Sequence, residues 1–141
     1  MSITRQHTDI VKKMALERGF DYCGIARAQP LDEDARRLEI WLNKGMHGGM
    51  KYMENYFDLR IDPTKLVPGA RSVITLLKNY YPGQTPSGDV KISKYAYGID
   101  YHYVIKAQLK QMMQDLQEQI GNFDGRGFVD SAPVLERAWA K

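Results

Sequence analysis

The segment Pro68-Gly69-Ala70-Arg71-Ser72-Val73-Ile74-Thr75-Leu76-Leu77 decides the fold class. A Pro-Gly turn leads into residues dense in β-branched and apolar side chains, which predicts a central strand over Ser72 to Leu77. Earlier in the chain, Phe20 to Ala26 is a second short apolar run with aromatic and β-branched positions, ended by the turn around Gln29-Pro30. It predicts another buried strand.

Helical patterns flank both runs. Ile10, Val11, Met14 and Ala15 recur at helical spacing from about Thr4 to Arg18, and Gly19 stands where a left-handed cap is wanted. Leu31, Ala35, Leu38, Trp41 and Leu42 mark a second helix, capped near Asp32 and stopped at Gly45. The strongest pattern is Tyr101, Ile105, Leu109, Met112, Leu116 and Ile120, which lines one face of a helix from Tyr101 to Ile120 that Gly121 ends. Tyr52 to Arg60 predicts a short helix broken by Asp62-Pro63, and Pro82 to Asp89 is a turn-rich loop. Ile92 to Tyr97 reads as a short strand or an extended segment. Arg126 to Asp130 reads as a further strand, with a new helix opening around Ala132-Pro133. This alternation predicts an α/β or α+β sandwich, one domain with a central mixed sheet flanked by helices.

Composition narrows the class. The chain has 141 residues with 43% apolar content, the size of one domain that buries roughly two thirds of its unfolded surface. A formal charge of +3, from 20 basic and 17 acidic side chains, is a mild excess without a basic run that would read as a nucleic-acid arm. The single cysteine, Cys23, excludes an internal disulfide, and alone it holds neither a closed zinc site nor an iron–sulfur cluster. No apolar stretch approaches the length of a membrane span and the first ten residues are polar, so the expectation is a cytoplasmic protein with no membrane partner. Nothing in the pattern sets the oligomeric state, and a monomer is the default. No terminator follows the last apolar residues before Lys141, so the expectation is a chain truncated at its C-terminus.

Three places could carry chemistry. Asp130, in Phe128-Val129-Asp130-Ser131-Ala132-Pro133, falls at the expected strand-to-helix junction, where a carboxyl can act as a general acid or can merely cap the helix. Lys94, Tyr95, Tyr97, Tyr101, His102 and Tyr103 form an aromatic and basic set whose hydroxyls and imidazole could bind the rim of a large ligand. Tyr101 lies on the apolar stripe, so packing is the competing role; His102 lies off it. The glycine-rich loop Gly45 to Met53 could approach a flat ligand or be an ordinary loop. Arg60 behind it could grip a ligand or pair with Asp58 or Asp62. Cys23 reads as a small buried hydrophobe.

The blocks Gly45 to Met53, Leu59 to Pro63, Leu66 to Ile74, Ile92 to His102 and Phe128 to Ala138 resemble, in order and spacing, the N-terminal region of the epoxyqueuosine reductases. That resemblance implies a nitroreductase-like cobalamin-binding fold, as in reductive dehalogenases. It further implies an oxidoreductase that uses cobalamin and two 4Fe–4S clusters to reduce epoxyqueuosine to queuosine in tRNA, the last step of queuosine formation. Asp130 would be the proton donor, and Tyr52, Met53, Arg60, Ser93, Tyr95, Tyr101 and His102 would lie at or near the corrin. Ile99 departs from the more basic residue usual before the Asp-Tyr-His block. The cluster-binding, ferredoxin-like portion of the family has no counterpart here, so residues 1–141 are expected to be the cobalamin-facing domain, inactive alone. A related corrinoid reductase with another substrate, such as an organohalide, and a non-catalytic α/β binding module are the alternatives.

Overall fold

A computed structural model describes residues 2–79, 88–91, 93 and 98–141. The elements run α1 (Ile3–Glu17), β1 (Tyr22–Arg27), α2 (Asp32–Asn43), a 3-10 turn (Lys51–Glu54), α3 (Phe57–Ile61), α4 (Pro63–Leu66), β2 (Ser72–Leu77), α5 (Tyr101–Ile120) and α6 (Glu136–Trp139).

The fold is α+β. β1 and β2 pair in a two-stranded sheet. At one end the Asp21 amide donates to the Leu77 carbonyl at 2.8 Å, and at the other the Ala28 amide donates to the Arg71 carbonyl at 2.9 Å, so the strands are antiparallel. The expected central mixed sheet is corrected accordingly: among the described residues the sheet has two strands. Arg126 to Asp130 forms no strand, because a short apolar pair such as Phe128 and Val129 becomes a strand only where another strand's ladder accepts it. Ile92 and Lys94 to Tyr97 lie outside the described residues, as does most of the Pro82 to Asp89 loop.

The chain divides into two compact units, Met1–Cys23 with Leu76–Phe123, and Gly24–Thr75 with Asp124–Lys141. In the first, α1 packs on α5. Val11, Met14 and Ala15 of α1 and Met112 and Leu116 of α5 are buried, as is Phe20 beyond the helix. Each large side chain of this set contributes about 1.5–3 kcal/mol relative to exposure. The end of α1 is closed by donors from distant segments. Arg18 and Asp115 form an ion pair, the Gln108 side-chain amide donates to the Arg18 carbonyl at 3.0 Å, and the Lys78 ammonium donates to the Gly19 carbonyl at 3.2 Å. The Arg18 and Gly19 carbonyls just past the helix are thereby satisfied by α5 and by Lys78 after β2, while the Arg18, Gly19 and Phe20 amides close the last-turn carbonyls.

In the second unit, the Leu31 amide donates to the Ile61 carbonyl at 2.7 Å, joining the start of α2 to α3. The helix expected over Tyr52 to Arg60 is split in two, because Tyr56 adopts a left-handed conformation, φ 56°, between the 3-10 turn and α3. Asp62 caps α4, accepting from the Thr64 amide at 2.9 Å and from the Thr64 hydroxyl at 2.6 Å. The hydroxyl bond, chiefly, holds the Asp62 carboxyl below its ordinary pKa, with the Thr64 amide and Lys65 acting in the same direction and burial opposing. A carboxyl depressed in the folded state stabilises the fold above its unfolded pKa, and that contribution is lost as pH falls through the folded value. Asp62→Asn is therefore expected to make the acid limb of a stability-versus-pH curve shallower. Urea midpoints taken across the acid range measure this; a limb of unchanged steepness would refute it.

Candidate functional site

The second unit holds the glycine-rich loop, Arg60 and Asp130. Gly45 and Gly48 both adopt positive φ, 64° and 58°, conformations that side-chain-bearing residues adopt rarely, so the turn after α2 depends on their lacking a Cβ. His47 between them is buried. Its Nε2 lies 2.6 Å from Glu54 Oε1, and its ring packs at a tilt on Trp41 with centroids 5.6 Å apart. This clasp ties the two ends of the loop together. Sequence reasoning did not find it: the partners are seven residues apart across a segment without periodicity, and the only signal was a histidine among glycines.

Arg60 holds the same loop from behind. Its Nε donates to the Asn55 carbonyl at 3.0 Å and its terminal nitrogen to the Tyr52 carbonyl at 3.2 Å. The fork is thus directed at backbone, a use that neither the ligand reading nor the Asp58 or Asp62 ion-pair reading anticipated. Between the clasp and the fork, Met46, Met50, Tyr52 and Tyr56 remain 60%, 43%, 58% and 66% exposed. The Tyr52 hydroxyl donates to Met50 Sδ at 3.3 Å. A braced loop that keeps large apolar side chains in water offers a ready surface to a flat, partly apolar ligand.

Met53 is half-buried and, with Arg60, Leu38, Val134, Leu135 and Glu136, lines a cleft of about 590 Å³. That volume is in the range of small-molecule pockets.

Asp130 is exposed and sits at φ 60°. The Ser131 and Ala132 amides turn back to the Val129 and Asp130 carbonyls at 2.8 and 2.7 Å. The Asp130 amide donates to Glu136 Oε1 at 2.8 Å. Two expectations are corrected here. The helix opens at Glu136 instead of around Ala132-Pro133, because tight turns occupy residues 129–134. Asp130 accordingly lies at a loop bend and not at a strand-to-helix junction, so the helix-cap role falls away: the cap position is Leu135. Burial, first, and then the negative charge of Asp130 push the Glu136 carboxyl above its ordinary pKa, while the Asp130 amide acts against them.

The remaining candidates belong to the first unit or stand apart. Tyr101 and His102 open α5, their rings stacked at 4.2 Å, and both are half-buried. Asp100 caps the helix, accepting from the His102 amide at 3.0 Å, and its Oδ1 lies 2.8 Å from His102 Nδ1. The amide first and the ring second hold the Asp100 carboxyl below its usual pKa. Tyr103 is 74% exposed. Ser93 is exposed and in no regular element. Tyr95 lies outside the described residues. Cys23 is buried, and burial raises its thiol pKa. Among the described residues no three His, Cys, Asp or Glu side chains gather as a metal site requires. With one cysteine, the residues present do not fit an iron–sulfur cluster.

Comparison with known proteins agrees with this architecture. A 143-residue stretch of a protein named epoxyqueuosine reductase from Cyclobacterium marinum is 58% identical to 99% of this chain, and the match covers 46% of that relative. The solved structure of epoxyqueuosine reductase from Streptococcus thermophilus superposes with a TM-score of 0.81 at 26% identity, covering 100% of this chain and 38% of that one. A crystal structure of epoxyqueuosine reductase with an epoxyqueuosine-modified tRNA stem loop shares the fold, with a TM-score of 0.80 at 22% identity over 96% of this chain and 37% of that one. The chain thus spans somewhat less than half the length of these relatives, and its class is an α+β module that recurs within longer reductase polypeptides. The family profile described as "Epoxyqueuosine reductase QueG, DUF1730" matches residues 60–131. The chain belongs to the epoxyqueuosine reductase family.

Proposed function

We propose that this chain is the N-terminal, cobalamin-facing part of an epoxyqueuosine reductase, an enzyme that reduces epoxyqueuosine to queuosine in tRNA. The observation that carries the reading is the 58% identity, over 99% of the chain, to a protein bearing that name. The proposal includes a cytoplasmic location, tRNA as the partner, the nitroreductase-like architecture of corrinoid reductases, and a ferredoxin-like portion elsewhere in the whole protein that binds two 4Fe–4S clusters.

The residues at hand suit a corrin. The exposed Met46, Met50, Tyr52 and Tyr56 supply a water-facing apolar surface of the kind a macrocycle covers. In this reading Tyr52 and Met53 contact the cofactor from the loop and Arg60 fixes that loop through the Tyr52 and Asn55 carbonyls. For Ser93, Tyr95, Tyr101 and His102 a polar role toward the cofactor is carried by the family resemblance alone, and Tyr95 lies outside the described residues. When bound, the cofactor supplies reducing equivalents through its cobalt. Converting an epoxide to an alkene with loss of its oxygen as water consumes protons as well as electrons, so an acid beside that oxygen is required. Asp130 is that acid: its exposed carboxyl transfers a proton to the epoxide oxygen as the C–O bond breaks.

The direct test uses the full-length protein, reconstituted with cobalamin and iron–sulfur clusters and given a strong reductant and tRNA carrying epoxyqueuosine. Nucleoside digests are expected to show queuosine replacing epoxyqueuosine. A fully reconstituted protein that leaves the epoxide intact would sink the reading, and one that instead consumed an organohalide would mark a different corrinoid reductase.

A further inference from the structure

We infer that Glu136 is the positioning residue of the acid loop, its carboxylate receiving the Asp130 amide at 2.8 Å and so fixing the left-handed bend that presents the Asp130 carboxyl. The inference rests on Asp130 being the proton donor. Its basis is local geometry. Asp130 is one of two non-glycine residues with positive φ among the described residues, and such a conformation persists when its surroundings hold it. The turn centred on Asp130 is closed by the Ser131 amide on the Val129 carbonyl, and the turns that follow by the Ala132 and Val134 amides, so the backbone sets the bend and a second restraint is needed to hold its entry. The Asp130 amide is held by a side chain six residues on. Glu136 opens α6 and lines the cleft that Met53 and Arg60 also line, so one carboxylate joins the acid loop to the wall of the cleft. A misplacement of the acid by about an ångström lowers the rate steeply.

Glu136 does not itself give up a proton to substrate in this scheme. It acts as an acceptor, and a neutral acceptor of the same reach serves as well. That separates Glu136→Ala, which removes the acceptor, from Glu136→Gln, whose amide oxygen retains it.

Both variants are to be made in the full-length enzyme, beside Asp130→Asn. One readout needs no cofactor: hydrogen exchange, followed by mass spectrometry, of the peptide covering residues 128–136. Glu136→Ala is expected to speed exchange there several-fold while other peptides are unchanged, and Glu136→Gln to restore protection. In the reconstituted enzyme Glu136→Ala is expected to lower kcat about tenfold, the loss of one well-placed hydrogen bond, with KM for the tRNA unchanged and Glu136→Gln near the parental rate. Parental exchange in Glu136→Ala, or equal damage in the Gln and Ala variants, would overturn the positioning role. An active Asp130→Asn enzyme would overturn the proton-donor reading instead, and the exchange data would still report whether Glu136 holds the bend.

Discussion

Asp130→Asn in the full-length reductase is expected to lower the rate of epoxyqueuosine reduction by roughly 10²–10⁴-fold, the range supplied by a positioned general acid. The substitution is suited to the question because asparagine tolerates positive φ about as well as aspartate. The bend at φ 60° should survive, and the bond from the backbone amide to Glu136 does not involve the altered side chain. Binding of cobalamin and of tRNA should therefore stay near parental while reduction is lost. Single-turnover assays with quantified nucleosides give the rate, and visible absorption of the bound corrin gives the occupancy. Reduction at close to the parental rate would remove Asp130 from the chemistry.

The second large effect concerns stability. Phe20 is 3% exposed and lies just past the α1 cap, where its amide donates to the Ala15 carbonyl at 3.0 Å. The Lys78 ammonium sits 5.9 Å from its ring centroid. Phe20→Ala would leave a cavity where a buried ring now sits and is expected to cost about 3–5 kcal/mol. Set against a total stability of about 5–15 kcal/mol for an ordinary domain, that loss would leave the first unit partly unfolded. Urea unfolding followed by far-ultraviolet circular dichroism measures the shift. A midpoint unchanged from the parental chain would show that Phe20 contributes no more than a surface residue.

The elements legible in sequence are those whose signal is local and repeated. The stripe from Tyr101 to Ile120 predicted α5 with its bounds, because six apolar positions at spacings of three and four outweigh any single exception. Ser72 to Leu77 is β2 as expected, and α1 was foreseen to within a residue at each end. Where the outcome depended on a distant partner, local pattern misled. Arg126 to Asp130, with its apolar Phe128 and Val129, reads as a strand but forms none among the described residues. Pro133 looked like a first helical turn, yet the backbone bonds of Ser131, Ala132 and Val134 take the segment into tight turns.

The candidate site divides along the same line. Resemblance to the family singled out Asp130 and Arg60, but their surroundings depend on contacts that spacing does not encode. Glu136 reaches back six residues to the Asp130 amide, and Arg60 reaches eight residues to the Tyr52 carbonyl. His47 and Glu54 meet only because two glycines fold the loop between α2 and the 3-10 turn.

The condition of Cys23 has a practical consequence. It is the only cysteine in the 141 residues, it is buried, and its thiol ionises less readily than an exposed one, so thiol-directed reagents react with it slowly. A cysteine introduced on the exposed loop, at Met46 or Tyr56 for instance, would be the one fast-reacting thiol in this segment. A fluorophore or spin label attached there would then report on the loop with little background, turning an inert core residue into the reason the region can be watched in solution.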